Sequence, residues 1–112
     1  MSEIEEHSYE LTPAQLADKL AARDDIRLID IREAQEWAIC RLENAEWLPM
    51  GSIPARMNEL GKDETIILYC HHGTRSATAL NYLYQQGYRD IAHLKGGIDA
   101  WARELDPTMP IY

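Results

Sequence analysis

The segment Thr65-Ile66-Ile67-Leu68-Tyr69-Cys70-His71-His72-Gly73-Thr74-Arg75-Ser76 joins a short apolar run to a helical pattern that extends from Ala77 to Gln86. The apolar run predicts a buried strand. A cysteine therefore stands at the end of a strand, and a tight loop leads from it into the first turn of a helix. Backbone N–H groups of such a loop point toward the sulfur, and the helix dipole adds partial positive charge there. Arg75 supplies a full positive charge, and Gly73 permits a turn that a side chain would block. These surroundings favour a thiolate held in a small anion-binding cup. A thiolate held in this way can attack a sulfur or a phosphorus centre.

Outward from this loop, strands alternate with short helices. Ser8-Tyr9-Glu10-Leu11 predicts a short strand. Thr12-Pro13-Ala14-Gln15 predicts a helix start, with Thr12 as N-cap, Pro13 in the first helical position and Gln15 closing a capping box. That helix ends near Arg23-Asp24-Asp25. Ile26-Arg27-Leu28-Ile29-Asp30-Ile31 predicts a buried strand ending in a polar residue. A short helix follows from Arg32 to Ile39, with Trp37 expected to turn inward. Ala45-Glu46-Trp47-Leu48 predicts a further short strand and Pro49-Met50-Gly51 a turn. Next comes a short helix capped by Ser52 or Ile53, with Met57 and Leu60 on its inner face. Gly87 closes the helix that follows the cysteine loop. Ile91-Ala92-His93-Leu94 predicts a strand, Gly96-Gly97 a turn, and Ile98 to Leu105 a final helix, after which residues 108–112 form a tail. The alternation implies an α/β fold: a small parallel sheet of about four or five strands with helices on both faces. Residues 1–7 read as a flexible lead and residues 8–112 as one domain. In such sheets the active crevice lies at the carboxyl ends of the strands, where both Asp30 and Cys70 fall.

The chain has 112 residues, 46% of them apolar, and a net charge of −8. That charge disfavours nucleic acid and anionic membranes as partners. It also means that an anion site has to be built locally, against the overall field. No apolar run is long enough to span a membrane. The acidic start Met1-Ser2-Glu3-Ile4-Glu5-Glu6 does not read as a signal peptide, so a cytoplasmic location is expected. Two cysteines, Cys40 and Cys70, are too few for a disulfide scaffold.

At this point the sequence resembles the rhodanese family of sulfurtransferases. Ile29-Asp30-Ile31-Arg32 with Glu36-Trp37 is similar to the family's strand-end Asp-x-Arg segment followed by Glu-aromatic. Tyr69 to Ser76 is similar to its active loop. Gly87-Tyr88 and Leu94-Lys95-Gly96-Gly97-Ile98-Asp99-Ala100-Trp101 are similar to its closing segment. The match is to the compact single-domain form. It implies a ping-pong sulfur transfer in which Cys70 takes the outer sulfur of thiosulfate or of a persulfide donor and passes it to an acceptor thiol, or to cyanide in the test tube. It implies that the amides of His71, His72, Gly73, Thr74, Arg75 and Ser76 cradle the persulfide, with Arg75 steering the donor anion. No cofactor is expected, and a protein donor or acceptor of the sulfur is a possible partner. The segment Cys40-Arg41-Leu42-Glu43-Asn44-Ala45 departs from the family's Gly-His-Ile-Pro-Gly-Ala and leaves the loop shape there open.

Two other function classes compete. Phosphatases and arsenate reductases on this fold use a loop with five residues between Cys and Arg, whereas four separate Cys70 from Arg75. A non-catalytic binding module is the third reading, and such modules often lose the cysteine. Simpler roles stand beside the functional ones. Cys70 can be a structural cysteine, and Cys40 reads as packing. Asp30 and Arg32 read as a pair bracing the loops, Thr74 and Ser76 as helix caps, and Trp37, Trp47 and Trp101 as core or rim packing. His71 and His72 either lend positive charge to the thiolate, contact substrate or are solvated. Zinc takes about four ligands, and only His7 and His93 remain, so no metal is expected.

Overall fold

A computed structural model describes residues 9–112 of the chain. The expected lead over residues 1–7, and Ser8 of the first expected strand, lie outside the described residues. Five strands, β1 (Glu10–Leu11), β2 (Arg27–Asp30), β3 (Glu46–Trp47), β4 (Ile66–Tyr69) and β5 (Ile91–Leu94), form one sheet in the order β1-β5-β4-β2-β3. Every pairing is parallel. The helices are α1 (Pro13–Ala22), α2 (Ala34–Ile39), α3 (Ile53–Arg56), α4 (Thr74–Gln85) and α5 (Gly97–Glu104). The expected α/β architecture is the one observed, with five strands.

Strand parity sorts the core into two halves. Side chains alternate across a sheet, so Ile66, Leu68 and Cys70 face one side, where they pack with Ile53, Ala79, Leu80 and Leu83 of α3 and α4. Ile67 and Tyr69 face the other side, with Leu16 of α1 and Ile98 of α5. Ile66, Ile67 and Leu68 are essentially unexposed, and burying each stabilises the fold by roughly 1.5–3 kcal/mol. β4 lies between β2 and β5, so it is covered on both edges and both faces. The same parity sends the Cys70 side chain toward α4 and the Asp30 side chain toward the opposite side, since Asp30 is the register partner of Tyr69.

Local signals place the helix ends. Thr12 Oγ1 accepts from the Gln15 amide at 3.1 Å and Gln15 Oε1 accepts from the Thr12 amide at 2.9 Å, completing the expected capping box. At the end of α4, Gly87 has φ +104°, and Tyr88 N donates to Leu83 O at 3.1 Å. This is the glycine-closed helix end that the sequence predicts.

Two expectations are corrected. The helix after the cysteine begins at Thr74, three residues ahead of the apolar pattern that starts at Ala77, because Gly73 turns the chain in the left-handed conformation and serves as its N-cap. Thr74 and Ser76 therefore lie inside the first turn, and neither side chain caps it. Trp37 does not enter the core. α2 buries none of its residues, since it stands beside the two-residue edge strand β3 and has little sheet to cover. Trp37 instead stacks on Trp47, ring centroids 6.3 Å apart, under the Arg41 guanidinium. The expected tail over residues 108–112 is packed against the domain. It returns to the Cys70 loop, as described below.

Candidate active site

Cys70 is the first residue beyond β4 and is 1% exposed. Its Sγ accepts from the amides of Gly73 at 3.1 Å and Ser76 at 3.3 Å. Both amides belong to the turn that opens α4, where the helix dipole is positive, so the sulfur sits in a field that favours negative charge. The turn depends on Gly73, whose φ of +103° disfavours any side chain. A second helix start seals the loop from behind. Ile98 N donates to Cys70 O at 2.9 Å and Asp99 N to His71 O at 3.0 Å. Gly97 makes that approach possible. A Cβ there would collide with the carbonyl group of His71 and come within 2.6 Å of Cys70 O. The Gly96-Gly97 turn is thus part of the cysteine loop's frame, 26 and 27 residues beyond Cys70 in sequence.

Asp30 and Arg32 form the brace that the sequence suggests. Both are 0% exposed, and Arg32 Nη2 donates to Asp30 Oδ2 at 2.7 Å. Arg32 also donates to Cys40 O and to the Tyr112 hydroxyl, and its own carbonyl accepts from Trp47 Nε1 at 2.8 Å. Burial works against the Arg32 charge, but the hydrogen bonds to Asp30 and Tyr112 outweigh it and hold the guanidinium protonated. Neither residue reaches the sulfur. Their work is to tie β2, the segment after α2, and the tail into one mouth.

Arg75 stands at the rim, about a third exposed, and makes a bidentate pair with Glu36 of α2 at 2.8 and 2.9 Å. Arg75 holds the Glu36 carboxyl down at about 2. An anion approaching the loop meets a guanidinium that already has a carboxylate partner. Glu36 is also held from the tail: the Tyr112 hydroxyl donates to Glu36 Oε2 at 2.8 Å and accepts from Arg32 Nη1 at 2.6 Å. The Tyr112 ring stacks flat on His71, centroids 3.8 Å apart. Burial, and then His72, lower the His71 pKa, so His71 is neutral at neutral pH and adds no positive charge to the cup.

His71, His72 and Asp99 bring polar atoms within 4.8 Å of one another. They are three where zinc takes about four ligands, and Asp99 is already paired with Arg103 at 2.9 Å.

On the inner side of the loop, the Ser76 hydroxyl lies 3.5 Å from Cys70 Sγ and 2.8 Å from His93 Nδ1 of β5. His93 Nε2 lies 3.5 Å from Glu10 Oε2 of β1. Burial lowers the His93 pKa, with Glu10 acting in the opposite sense.

The expected loop residues do not all turn to the sulfur: the His72 side chain is exposed, the Arg75 side chain pairs with Glu36, and Asp30 and Arg32 pair with each other. Two of the loop amides, those of Gly73 and Ser76, reach the sulfur itself. Sequence reasoning missed Tyr112 and His93. Each is far from Cys70 in the chain, and neither sits in a local pattern that marks it. The departing segment after α2 closes without its glycines: Asn44 takes φ +66°, which asparagine tolerates, and Ala45 N donates to Leu42 O at 3.2 Å. Cys40 and Cys70 are both free. Cys40 Sγ faces Pro110 O at 3.6 Å, a tail contact away from the cup. A surface groove lined by Leu20, Leu42 and Trp101 contains no residue of the Cys70 loop. Among the described residues, no helix is long and apolar enough to cross a membrane.

Comparison with known proteins agrees with this geometry. A sulfurtransferase of Allochromatium vinosum is 45% identical over 100 residues, covering 89% of this chain and 94% of that protein. The thiosulfate sulfurtransferase GlpE of Glaesserella parasuis is 33% identical over 104 residues, covering 93% and 95% of the two chains. The crystal structure of a rhodanese-like domain protein from Staphylococcus aureus superposes with a TM-score of 0.79 at 31% identity, covering 92% and 97% of the two chains. The model of the rhodanese-like domain matches residues 12–104, from the N-cap of α1 to the end of α5, and the chain therefore belongs to the rhodanese-like domain family.

Proposed function

We propose that the protein is a sulfurtransferase that carries a sulfane sulfur on Cys70. The observation that carries this reading is the Cys70 sulfur itself, held by the Gly73 and Ser76 amides at the positive end of α4. In the first half-reaction the Cys70 thiolate attacks the outer sulfur of thiosulfate. The S–S bond of the donor breaks, sulfite leaves with its electron pair, and Cys70 becomes a persulfide. In the second, an acceptor nucleophile attacks the outer sulfur, the persulfide S–S bond breaks, and the Cys70 thiolate is restored. With cyanide as acceptor the product is thiocyanate. The loop amides balance the negative charge of thiolate and persulfide alike, as fixed donors do in an oxyanion hole. Arg75 is the cation that draws the donor, by sharing its Nη groups between Glu36 and the incoming anion.

The spacing of four residues between Cys70 and Arg75 makes a ring suited to a single sulfur rather than to a tetrahedral phosphate. The donor is thiosulfate or a protein persulfide, and the acceptor is a thiol, free or on a protein partner, in a reducing compartment such as the cytoplasm, where both cysteines stay as thiols.

Intact mass after incubation with thiosulfate tests the reading. Cys70 gains one sulfur atom, cyanide removes it as thiocyanate, and Cys70→Ser does neither while keeping its fold. Sulfur transfer that persists in Cys70→Ser, or a wild-type Cys70 that takes sulfur from neither thiosulfate nor a persulfide donor, overturns it.

A further inference from the structure

The inner side of the cysteine loop carries a chain of polar groups that sulfur transfer as described does not use. Ser76 is fully buried and His93 is 4% exposed. Ser76 Oγ bridges Cys70 Sγ, at 3.5 Å, and His93 Nδ1, at 2.8 Å. The far nitrogen of the ring, Nε2, faces the Glu10 carboxylate at 3.5 Å, and Glu10 lies at the surface. Three elements build this line: α4 supplies Ser76, β5 supplies His93 and β1 supplies Glu10. A carboxylate beside Nε2 favours the tautomer with its proton on Nε2 and leaves Nδ1 as an acceptor. The Ser76 hydroxyl can then donate to Nδ1 and turn a lone pair toward the thiol.

We propose that His93 is a positioning residue for Cys70: acting through Ser76, it takes the thiol proton when the nucleophile forms and returns it when the thiolate is quenched, with Glu10 holding the ring. The proposal rests on Cys70 being the nucleophile, as proposed above. The proton step balances within the protein. The Cys70 S–H bond breaks toward Ser76 Oγ while the Ser76 O–H bond breaks toward His93 Nδ1. Ser76 ends with one proton, as it began, and the electron pair of the S–H bond stays on sulfur. The products are a Cys70 thiolate and a His93 imidazolium facing the Glu10 carboxylate. The hydroxyl then donates to the thiolate and accepts from Nδ1–H. Ser76 Oγ also lies 3.2 Å from Gly73 O, a weaker resting place for the same proton than Nδ1 at 2.8 Å.

Among the described residues, few polar groups face the ring. Glu10 faces it from β1, and Cys70 reaches it from the end of β4 through Ser76 of α4. On α5, Asp99 and Arg103 pair with each other. Burial keeps the resting ring neutral, so its Nδ1 lone pair is available.

The experiment is the pH profile of Cys70 alkylation by iodoacetamide, followed by intact mass in a Cys40→Ser background. This readout needs no sulfur donor, so it is separate from the thiosulfate test, which judges the nucleophile. In His93→Gln the profile is expected to move up by about one pH unit, with alkylation near pH 7 slowed about tenfold. Ser76→Ala should show a similar displacement, and His93→Gln added to Ser76→Ala should change nothing further. A folded His93→Gln with an unmoved profile overturns the proposal, as does full additivity with Ser76→Ala. Should His93→Gln fail to fold, Glu10→Gln replaces it, at a side chain that is 54% exposed. Its profile is expected to rise by a smaller amount, and an unmoved profile there overturns the proposal.

Discussion

Two arginines stand at the same mouth and behave differently. Arg32 is wholly buried, and its guanidinium is enclosed by Asp30, Cys40 O and the Tyr112 hydroxyl. Arg75 is about a third exposed and has one carboxylate partner, Glu36. Both are paired with an acid, but the pairs are not equivalent. A buried pair whose partners are all supplied by the chain has no way to exchange them, so it can serve only as a brace. A rim pair can trade one oxygen for another, so an incoming anion can compete for it. One hydroxyl, that of Tyr112, spans the two, accepting from Arg32 and donating to Glu36.

The contrast can be broken at Arg32 first. Arg32→Ala leaves the Asp30 carboxylate buried without a partner and should cost about 3–5 kcal/mol in urea unfolding. That is a large part of the stability of a domain of this size. Removing both charges, Arg32→Ala with Asp30→Ala, should cost clearly less than the two single changes summed. Additive costs would mean that the pair does not act as a unit.

At the rim the same operation is expected to show in function. Arg75→Ala should raise KM for thiosulfate about tenfold. It should cost only about 1 kcal/mol of stability, since the guanidinium stands at the rim, where solvent screens the part-buried pair. Glu36→Gln releases the guanidinium and should leave KM unchanged or lower. A KM that rises as steeply in Glu36→Gln as in Arg75→Ala would show that the pair, not the free cation, is what the donor requires.

A pH series sharpens the comparison. The Glu36 carboxyl is held at about 2, below its ordinary value of 4.5. A lowered carboxylate adds stability that is complete above the unfolded value and is lost as pH falls through the folded one. The contribution of the Arg75–Glu36 pair should therefore fade between about pH 4.5 and pH 2, and urea midpoints across that window should fall less in Glu36→Gln than in the wild type. Equal slopes would mean that Arg75 does not lower Glu36 as the geometry requires.

The smallest effect is expected at Tyr112. Tyr112→Phe keeps the ring on His71 and loses the hydroxyl that joins the two pairs. A loss of about 1 kcal/mol is expected, as for a single hydrogen bond. Tyr112→Ala removes the ring as well and should speed alkylation of Cys70 at fixed pH, because the ring covers the His71 side of the loop. No change in that rate would show that the tail does not limit access.

The sequence determined by itself whatever depends on neighbours along the chain. The run Thr65 to Tyr69, the turn at Gly73, the Thr12–Gln15 capping box and the Gly87 helix stop are short-range events. A backbone torsion or a side chain three residues away decides each of them, and so the five strands, their helices and the Cys70 cup were legible. The start of α4 was harder to place. Thr74, Arg75 and Ser76 are polar, and apolar periodicity does not register a first turn that is wound by a left-handed glycine. Trp37 misled for a related reason: a large apolar residue signals burial, but whether a core lies beneath it depends on which strand the helix is set against.

Tertiary structure alone decided which side chains meet over and under the sulfur. Glu36 finds Arg75, Tyr112 finds His71, and Ser76 finds His93, across separations of 39, 41 and 17 residues. Sheet order sets these meetings: β5 comes next to β4, and β1 next to β5, only after long crossovers close. A sequence read locally carries the chemistry of each group but not its neighbours. The cysteine loop was therefore visible in the chain, whereas the groups that meet around it were not.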